Sequence, residues 1–189
     1  MRLAIFGGTF DPIHKAHLEI ALRAADRFAL DRVLFMPAAS PPHKGGVTHA
    51  PYEDRVCMIE LALGADARFE VSRLEEGTTR SYSIDTIEKL RARLSPADEL
   101  FFIIGADAFA EIRTWRRWQD VARSIVFIVV SRPGSAYEAP AGSRVERVDQ
   151  VELPVSSSEI RARLAAGEQV AAVPERVMEY IRERGLYRA

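Results

Sequence analysis

Leu3-Ala4-Ile5-Phe6-Gly7-Gly8-Thr9-Phe10-Asp11-Pro12-Ile13-His14-Lys15-Ala16-His17 is the stretch that decides the fold. A short apolar run enters two glycines; a proline and two histidines then stand at the head of a segment of helical period. Strand, tight turn and helix start gather backbone N–H groups and the positive end of a helix dipole around one small volume, which suits a phosphate chain. His14 and His17, three apart, are expected on one helical face beside that volume.

The same alternation continues outward. Apolar runs predict strands near Leu3–Phe6, Val33–Met36, Phe69–Ser72, Leu100–Ile104 and Ile125–Val130. Helical periods fall near Ile13–Ala29, Tyr52–Leu63, Ile84–Arg93, Trp118–Ala122, Ser158–Ala166 and Pro174–Arg184. Strands alternating with helices imply βαβ units. The expected fold is therefore α/β: a Rossmann-like open, mainly parallel sheet of five to six strands, with helices on both faces and a C-terminal helical part from about residue 156 to 189. A single domain over residues 1–189 is expected. Loops are expected over Pro37–Gly46, Arg73–Ser83 and Arg132–Arg144. Ligands of such sheets bind at the carboxyl ends of the strands, where strand order reverses.

Bulk properties narrow the chemistry. The net charge of −1 announces no nucleic-acid partner. One cysteine excludes an internal disulfide and fits a reducing, cytoplasmic compartment. A strand starting almost at Met1 leaves no room for a signal peptide, and the aliphatic-aromatic run Ile125–Val130 is far too short for a membrane span. Zinc at the His14–His17 pair lacks the third and fourth ligands it needs, so no protein-held metal is expected. A dinucleotide dehydrogenase is also disfavoured: Gly7-Gly8-Thr9 is not Gly-x-Gly-x-x-Gly, and the second strand ends in Pro37 where an acidic residue would hold a ribose.

Three further constellations carry chemistry. Val155-Ser156-Ser157-Ser158-Glu159-Ile160-Arg161 has capping-box spacing between Ser156 and Glu159. The other hydroxyls and Arg161 add a second anion site at the far end of the chain. Gly105 and Asp107, after the fourth strand, read equally as turn residues or as a seat for an adenosine. The third is Arg113-Thr114-Trp115-Arg116-Arg117-Trp118. There Trp115 is a candidate stacking platform, while Trp118, starting a helix, reads as core. Ser81-Tyr82-Ser83-Ile84-Asp85-Thr86 reads as a helix cap with free N–H donors, and Lys44 is a cation on the Pro-Pro-His-Lys loop.

The opening turn resembles the nucleotidyltransferase superfamily, whose signature is a similar Gly-x-Phe-Asp-x-x-His-x-Gly-His; a similar Ser-Ser-x-x-Ile-Arg string and Gly-x-Asp occur there too. The whole series, through the final Tyr180-Ile181 and Gly185-Leu186-Tyr187, looks like the bacterial nicotinate-nucleotide adenylyltransferase family. Ala16 departs from it, standing where that family usually has glycine.

The resemblance implies transfer of AMP from ATP to nicotinic acid mononucleotide, giving deamido-NAD and pyrophosphate by direct in-line attack. It implies His14, His17, Lys44 and Arg161 as catalytic residues. Gly7, Gly8, Thr9, Phe10, Gly105, Asp107, Ser156 and Ser157 would contact ATP, Phe10 through side chain as well as backbone. Ser83, Thr86, Trp115 and Arg116 would contact the mononucleotide. Mg²⁺ would travel with ATP, since that ion keeps much of its hydration. An oligomer is compatible with the sequence. The nearest alternatives are nicotinamide-mononucleotide or phosphopantetheine adenylyltransferases, which share the ATP half. An aminoacyl-tRNA synthetase and a non-catalytic nucleotide sensor stand further off.

Overall fold

The computed structural model describes residues 1–39, 48–78, 81–131, 137–149 and 155–188. Lys44, most of the first expected loop and part of the third lie outside them. Strands β1 (Arg2–Gly8), β2 (Arg32–Pro37), β3 (Phe69–Val71), β4 (Glu99–Gly105), β5 (Val126–Ser131) and β6 (Arg144–Asp149) form one sheet in the order β3-β2-β1-β4-β5-β6. Every neighbouring pair is parallel. The helices are α1 (Lys15–Arg27), α2 (Tyr52–Ala62), α3 (Ser83–Arg91), α4 (Ala106–Ala110), α5 (Trp118–Ser124), α6 (Ser157–Ala165) and α7 (Glu175–Arg184).

Alternation of side chains along each strand splits the core into two layers. Ala4, Phe6, Val33, Phe35, Phe101 and Ile103 face α1, α2, α6 and α7, meeting Ala21, Ala24, Ile59, Ile160, Val177 and Ile181. Leu3, Ile5, Leu34, Leu100, Phe102 and Phe127 face α3, α4 and α5, meeting Ile84, Ile87, Phe109 and Val121. Burial on both faces explains the unbroken apolar reading of β1 and β4. The chain moves outward from β1 through β2 to β3, then returns to β4 on the other flank of β1. That reversal puts a crevice at the carboxyl ends of β1 and β4.

Two elements differ from the sequence expectation. β6 runs Arg144-Val145-Glu146-Arg147-Val148-Asp149; it is the sixth strand of the five to six expected, and no apolar run marks it. It is an edge strand, paired within the sheet to β5 alone, and Arg144, Glu146 and Arg147 are exposed on it. The hydrophobic run that marks interior strands is therefore missing. α4 occupies the Gly-x-Asp segment, where no helix was expected, with Gly105 at its N-cap. No helix among the described residues is long and apolar enough to cross a membrane.

Candidate active site

β1 delivers the chain into the crevice at Gly8, and α1 begins at Lys15, two residues later than its apolar periodicity predicts. His14 is the extended N-cap of that helix and His17 lies in its first turn. Two glycines are needed here because the site is crowded from below. A Cβ on Gly8 would lie 3.0 Å from Phe10 Cζ, and one on Gly7 would lie 3.2 Å from Phe102 Cζ. Phe10 has left-handed backbone (φ 50°) and turns its ring inward. The ring is 2 % exposed, edge-on to Phe6 at 5.5 Å and to His17 at 5.1 Å. Its side chain is therefore core, and only its backbone faces the turn.

The histidines stack, centroids 3.7 Å apart and planes 26° from parallel. The backbone N–H of His14 donates to Nδ1 of His17 at 3.2 Å. A ring nitrogen that accepts carries no proton, so this bond places the His17 proton on Nε2, as a donor.

The turn's carbonyls are taken up by side chains from distant helices. Arg55 Nη1 of α2 donates to the Thr9 carbonyl at 2.8 Å. Arg161 Nη1 of α6 donates to the Asp11 carbonyl at 2.7 Å, and Ser157 Oγ to the Pro12 carbonyl at 3.1 Å. Among the described residues, the N–H groups of Thr9, Phe10, Asp11 and Ile13 make no backbone hydrogen bond. Phe10, Asp11 and Ile13 are buried, so the donor the turn presents at its partly exposed edge is the Thr9 N–H, beside the start of α1. The two strings read as anion sites, about 150 residues apart, are in contact. Ser156 caps α6, its Oγ accepting from Glu159 N–H at 3.2 Å, while Arg161 Nη2 also reaches Ser158 Oγ.

Beneath the turn lies a buried carboxylate. Asp11 accepts from the N–H of His49 at 2.7 Å and of Ala50 at 3.1 Å, and from the hydroxyl of Tyr187 at 2.7 Å. Burial works against its charge, but the Tyr187 hydroxyl, the two amides and Arg161 outweigh it and hold the pKa below the usual carboxylate range. Burial and the Asp11 contact push the Tyr187 phenol up. Arg55 is fully buried, and that burial depresses its pKa despite the nearby Asp11 charge.

Gly105 and Asp107 stand exposed across the crevice, at the end of β4 and in the first turn of α4. A Cβ on Gly105 would meet no atom within 4 Å, so this edge is open. Further along, Ser83 opens α3 behind the extended Tyr82. Arg116 lays its guanidinium 4.9 Å from the Tyr82 ring centroid and pairs with Asp85 at 3.5 Å. The structure thereby joins the Ser83 segment to the Trp115 segment. Thr86 is buried at 4 % exposure and donates to Glu75 Oε1 at 2.8 Å, tying the loop before α3. Trp115 is half-buried and edge-on to Phe102 at 5.9 Å, the ring that also limits Gly7. It, rather than Trp118, borders the core cluster; Trp118 is half-buried at the start of α5.

Sequence reasoning missed the parts played by Asp11, Arg55 and Tyr187. Asp11 lies within the motif, but a contact with Tyr187 across 176 residues has no local signature. Arg55 stands among Val56, Met58 and Ile59, where a charged residue reads as solvent-facing. No group of three or more His, Cys, Asp or Glu side chains among the described residues is placed to hold a metal.

A helix N-terminus and tight turn at the switch point of a parallel sheet, met by a serine–arginine pair from a later helix, make an α/β fold suited to a nucleotide, and the relatives of the chain are transferases of that kind. A cytidylyltransferase-like family model matches residues 5–163. A protein of Solibacter usitatus named probable nicotinate-nucleotide adenylyltransferase is 68 % identical over 187 residues, covering 99 % of this chain and 100 % of its own. A Thermus thermophilus protein of the same name is 47 % identical over 190 residues, covering 100 % of both chains. The fold matches the Plasmodium falciparum nicotinic acid mononucleotide adenylyltransferase solved with NaAD, with a TM-score of 0.82 at 18 % identity over 98 % of this chain and 97 % of that one. The chain belongs to the nicotinate-nucleotide adenylyltransferase family, within the cytidylyltransferase-like nucleotidyltransferases.

Proposed function

We infer that this chain transfers AMP from ATP to nicotinic acid mononucleotide, giving deamido-NAD and pyrophosphate. The observation that carries the reading is the meeting of the Gly8–His14 turn with Ser157 and Arg161 at the switch point. The nucleophile is a phosphate oxygen of the mononucleotide, whose second pKa is about 6, so no general base is needed. That oxygen bonds to the α-phosphorus in line as the bond to the β-phosphate oxygen breaks, and pyrophosphate leaves. Two anions must approach, so catalysis is positioning and charge neutralisation.

The Thr9 N–H, the His17 Nε2 proton and the His14 imidazole stacked on it suit the α- and β-phosphates. Gly7 and Gly8 allow the close approach, Arg161 and Ser157 hold the far phosphates, and Lys44 meets the incoming one. Gly105 and Asp107 receive the adenosine. Trp115 faces the pyridinium, an attraction of about 0.5–2 kcal/mol, and N–H groups near Ser83 and Arg116 take the carboxylate. Mg²⁺ fits as an ion carried by phosphate oxygens and water, and EDTA is expected to stop turnover; persistent activity would remove it. The lone cysteine of the chain suits a reducing compartment, and the cytoplasm is where the enzyme is expected to act.

The test is a coupled pyrophosphate assay with ATP and four acceptors: nicotinic acid mononucleotide, its amide, phosphopantetheine and an amino acid. Fastest release with the first supports the reading, and preference for any other overturns it.

A further inference from the structure

The Asp11–Tyr187 contact does more than close the fold. Phe10, beside Asp11, and Tyr187 are both non-glycine residues in the left-handed region, at φ 50° and 59°. Such backbone is unfavourable for a residue with a side chain and persists only where its surroundings hold it. The hydroxyl that Tyr187 brings is donated to the carboxylate lying under the donor-bearing turn. That carboxylate also orders His49 and Ala50, and the Ala50 carbonyl accepts from Arg55 Nε at 3.3 Å. Arg55 returns to the turn through the Thr9 carbonyl. A closed circuit of Asp11, Ala50, Arg55 and Thr9 therefore fixes the turn from its inner side, and Tyr187 anchors it from outside through the Asp11 carboxylate. These groups are too deep to touch a phosphate themselves, since Asp11 is 2 % exposed and Arg55 fully buried.

We propose that Tyr187 is a positioning residue for adenylyl transfer, acting through Asp11 to hold the Thr9–Ile13 turn, and with it the partly exposed Thr9 N–H and the start of α1, in the geometry that binds the triphosphate. The proposal rests on the adenylyltransferase reading for its reaction but not for its binding readout. A purely structural role would tie the segment after α7 to the body of the protein and nothing more. The molecule contains a control for that case. Tyr180 of α7 donates to Asp54 Oδ1 at 2.7 Å, a tyrosine–aspartate bond of equal length that does not touch the turn.

Tyr187→Phe and Tyr180→Phe each remove one hydroxyl and keep the ring. Both are assayed at a temperature where circular dichroism shows them folded. Loss of one hydrogen bond to a charged group, once transmitted to the turn, predicts about tenfold weaker binding of a nonhydrolysable ATP analogue by Tyr187→Phe without any acceptor, and about tenfold lower kcat. The KM for the mononucleotide is expected to stay near the wild-type value. Tyr180→Phe is expected to lower Tm while leaving ATP-analogue affinity and kcat unchanged. Equal behaviour of the two variants, or unchanged analogue affinity in Tyr187→Phe, overturns the proposal. If the wild type binds the analogue but ignores nicotinic acid mononucleotide, the substrate reading fails, and the positioning role is then judged on affinity alone.

Discussion

Replacing Gly105 by alanine separates the stability of the free protein from its hold on the nucleotide. The position has ordinary extended backbone, φ −70° and ψ 148°, which alanine adopts without strain. A Cβ there meets nothing within 4 Å. Losing the freedom of glycine in the unfolded chain stabilises by about 0.4–1 kcal/mol. Losing a glycine N-cap costs a similar amount, about 0.5–1 kcal/mol. The two nearly cancel, so Tm should move by less than about 4 °C. In the complex the methyl projects into the open end of β4, the surface assigned to adenosine. Overpacking of that size costs about 1–3 kcal/mol. That is roughly 5- to 150-fold in the dissociation constant for ATP. Titration calorimetry with an ATP analogue, paired with scanning calorimetry of the free protein, reads both numbers. Unchanged ATP affinity at unchanged Tm would show that no nucleotide passes over Gly105, and the placement of adenosine would fail.

His17→Ala removes the Nε2 donor fixed by His14 and should lower kcat by about 10²-fold; near-normal turnover would take His17 out of the chemistry. Trp115→Ala should mainly raise KM for the mononucleotide, with some loss of Tm because the ring also packs on Phe102; an unchanged KM would leave it a packing residue only. The depressed Asp11 pKa has a defined sign: its stabilisation is complete above the unfolded value of about 3.9 and is lost as pH falls through the lower folded value. Thermal unfolding between neutral pH and about pH 3 should therefore show an acid limb that Asp11→Asn flattens while lowering Tm at neutral pH. An equally steep limb in the variant would assign acid sensitivity to other carboxylates.

The interior of the fold was legible because it obeys simple rules. β1, β2, β4 and β5 are apolar on both faces, and the glycine pair that ends β1 lies where Phe102 and Phe10 crowd any side chain. β6 obeys the rules of an edge, where charge replaces apolar residues, and so reads as loop. In the site, groups that combine chemistry with local spacing were legible: the histidines, with His14 itself buried, Arg161, Ser157 and Gly105. Ser156 shows the limit of that reading, since its hydroxyl is occupied by the helix it caps. What supports the turn was not legible. Asp11, Arg55 and Tyr187 act through contacts spanning 38 to 176 residues, and no periodicity records such a distance.

The span between Asp11 and Tyr187 also governs when the protein can begin to work. A ribosome emits the opening turn early and the tyrosine that latches it 176 residues afterwards. Until then a nascent chain carries an acidic side chain destined for burial with one of its partners still unmade, and it must stay hydrated or borrow another donor. Competence would therefore wait for residue 187, and a chain cut just before it would keep all six strands with a slack grip.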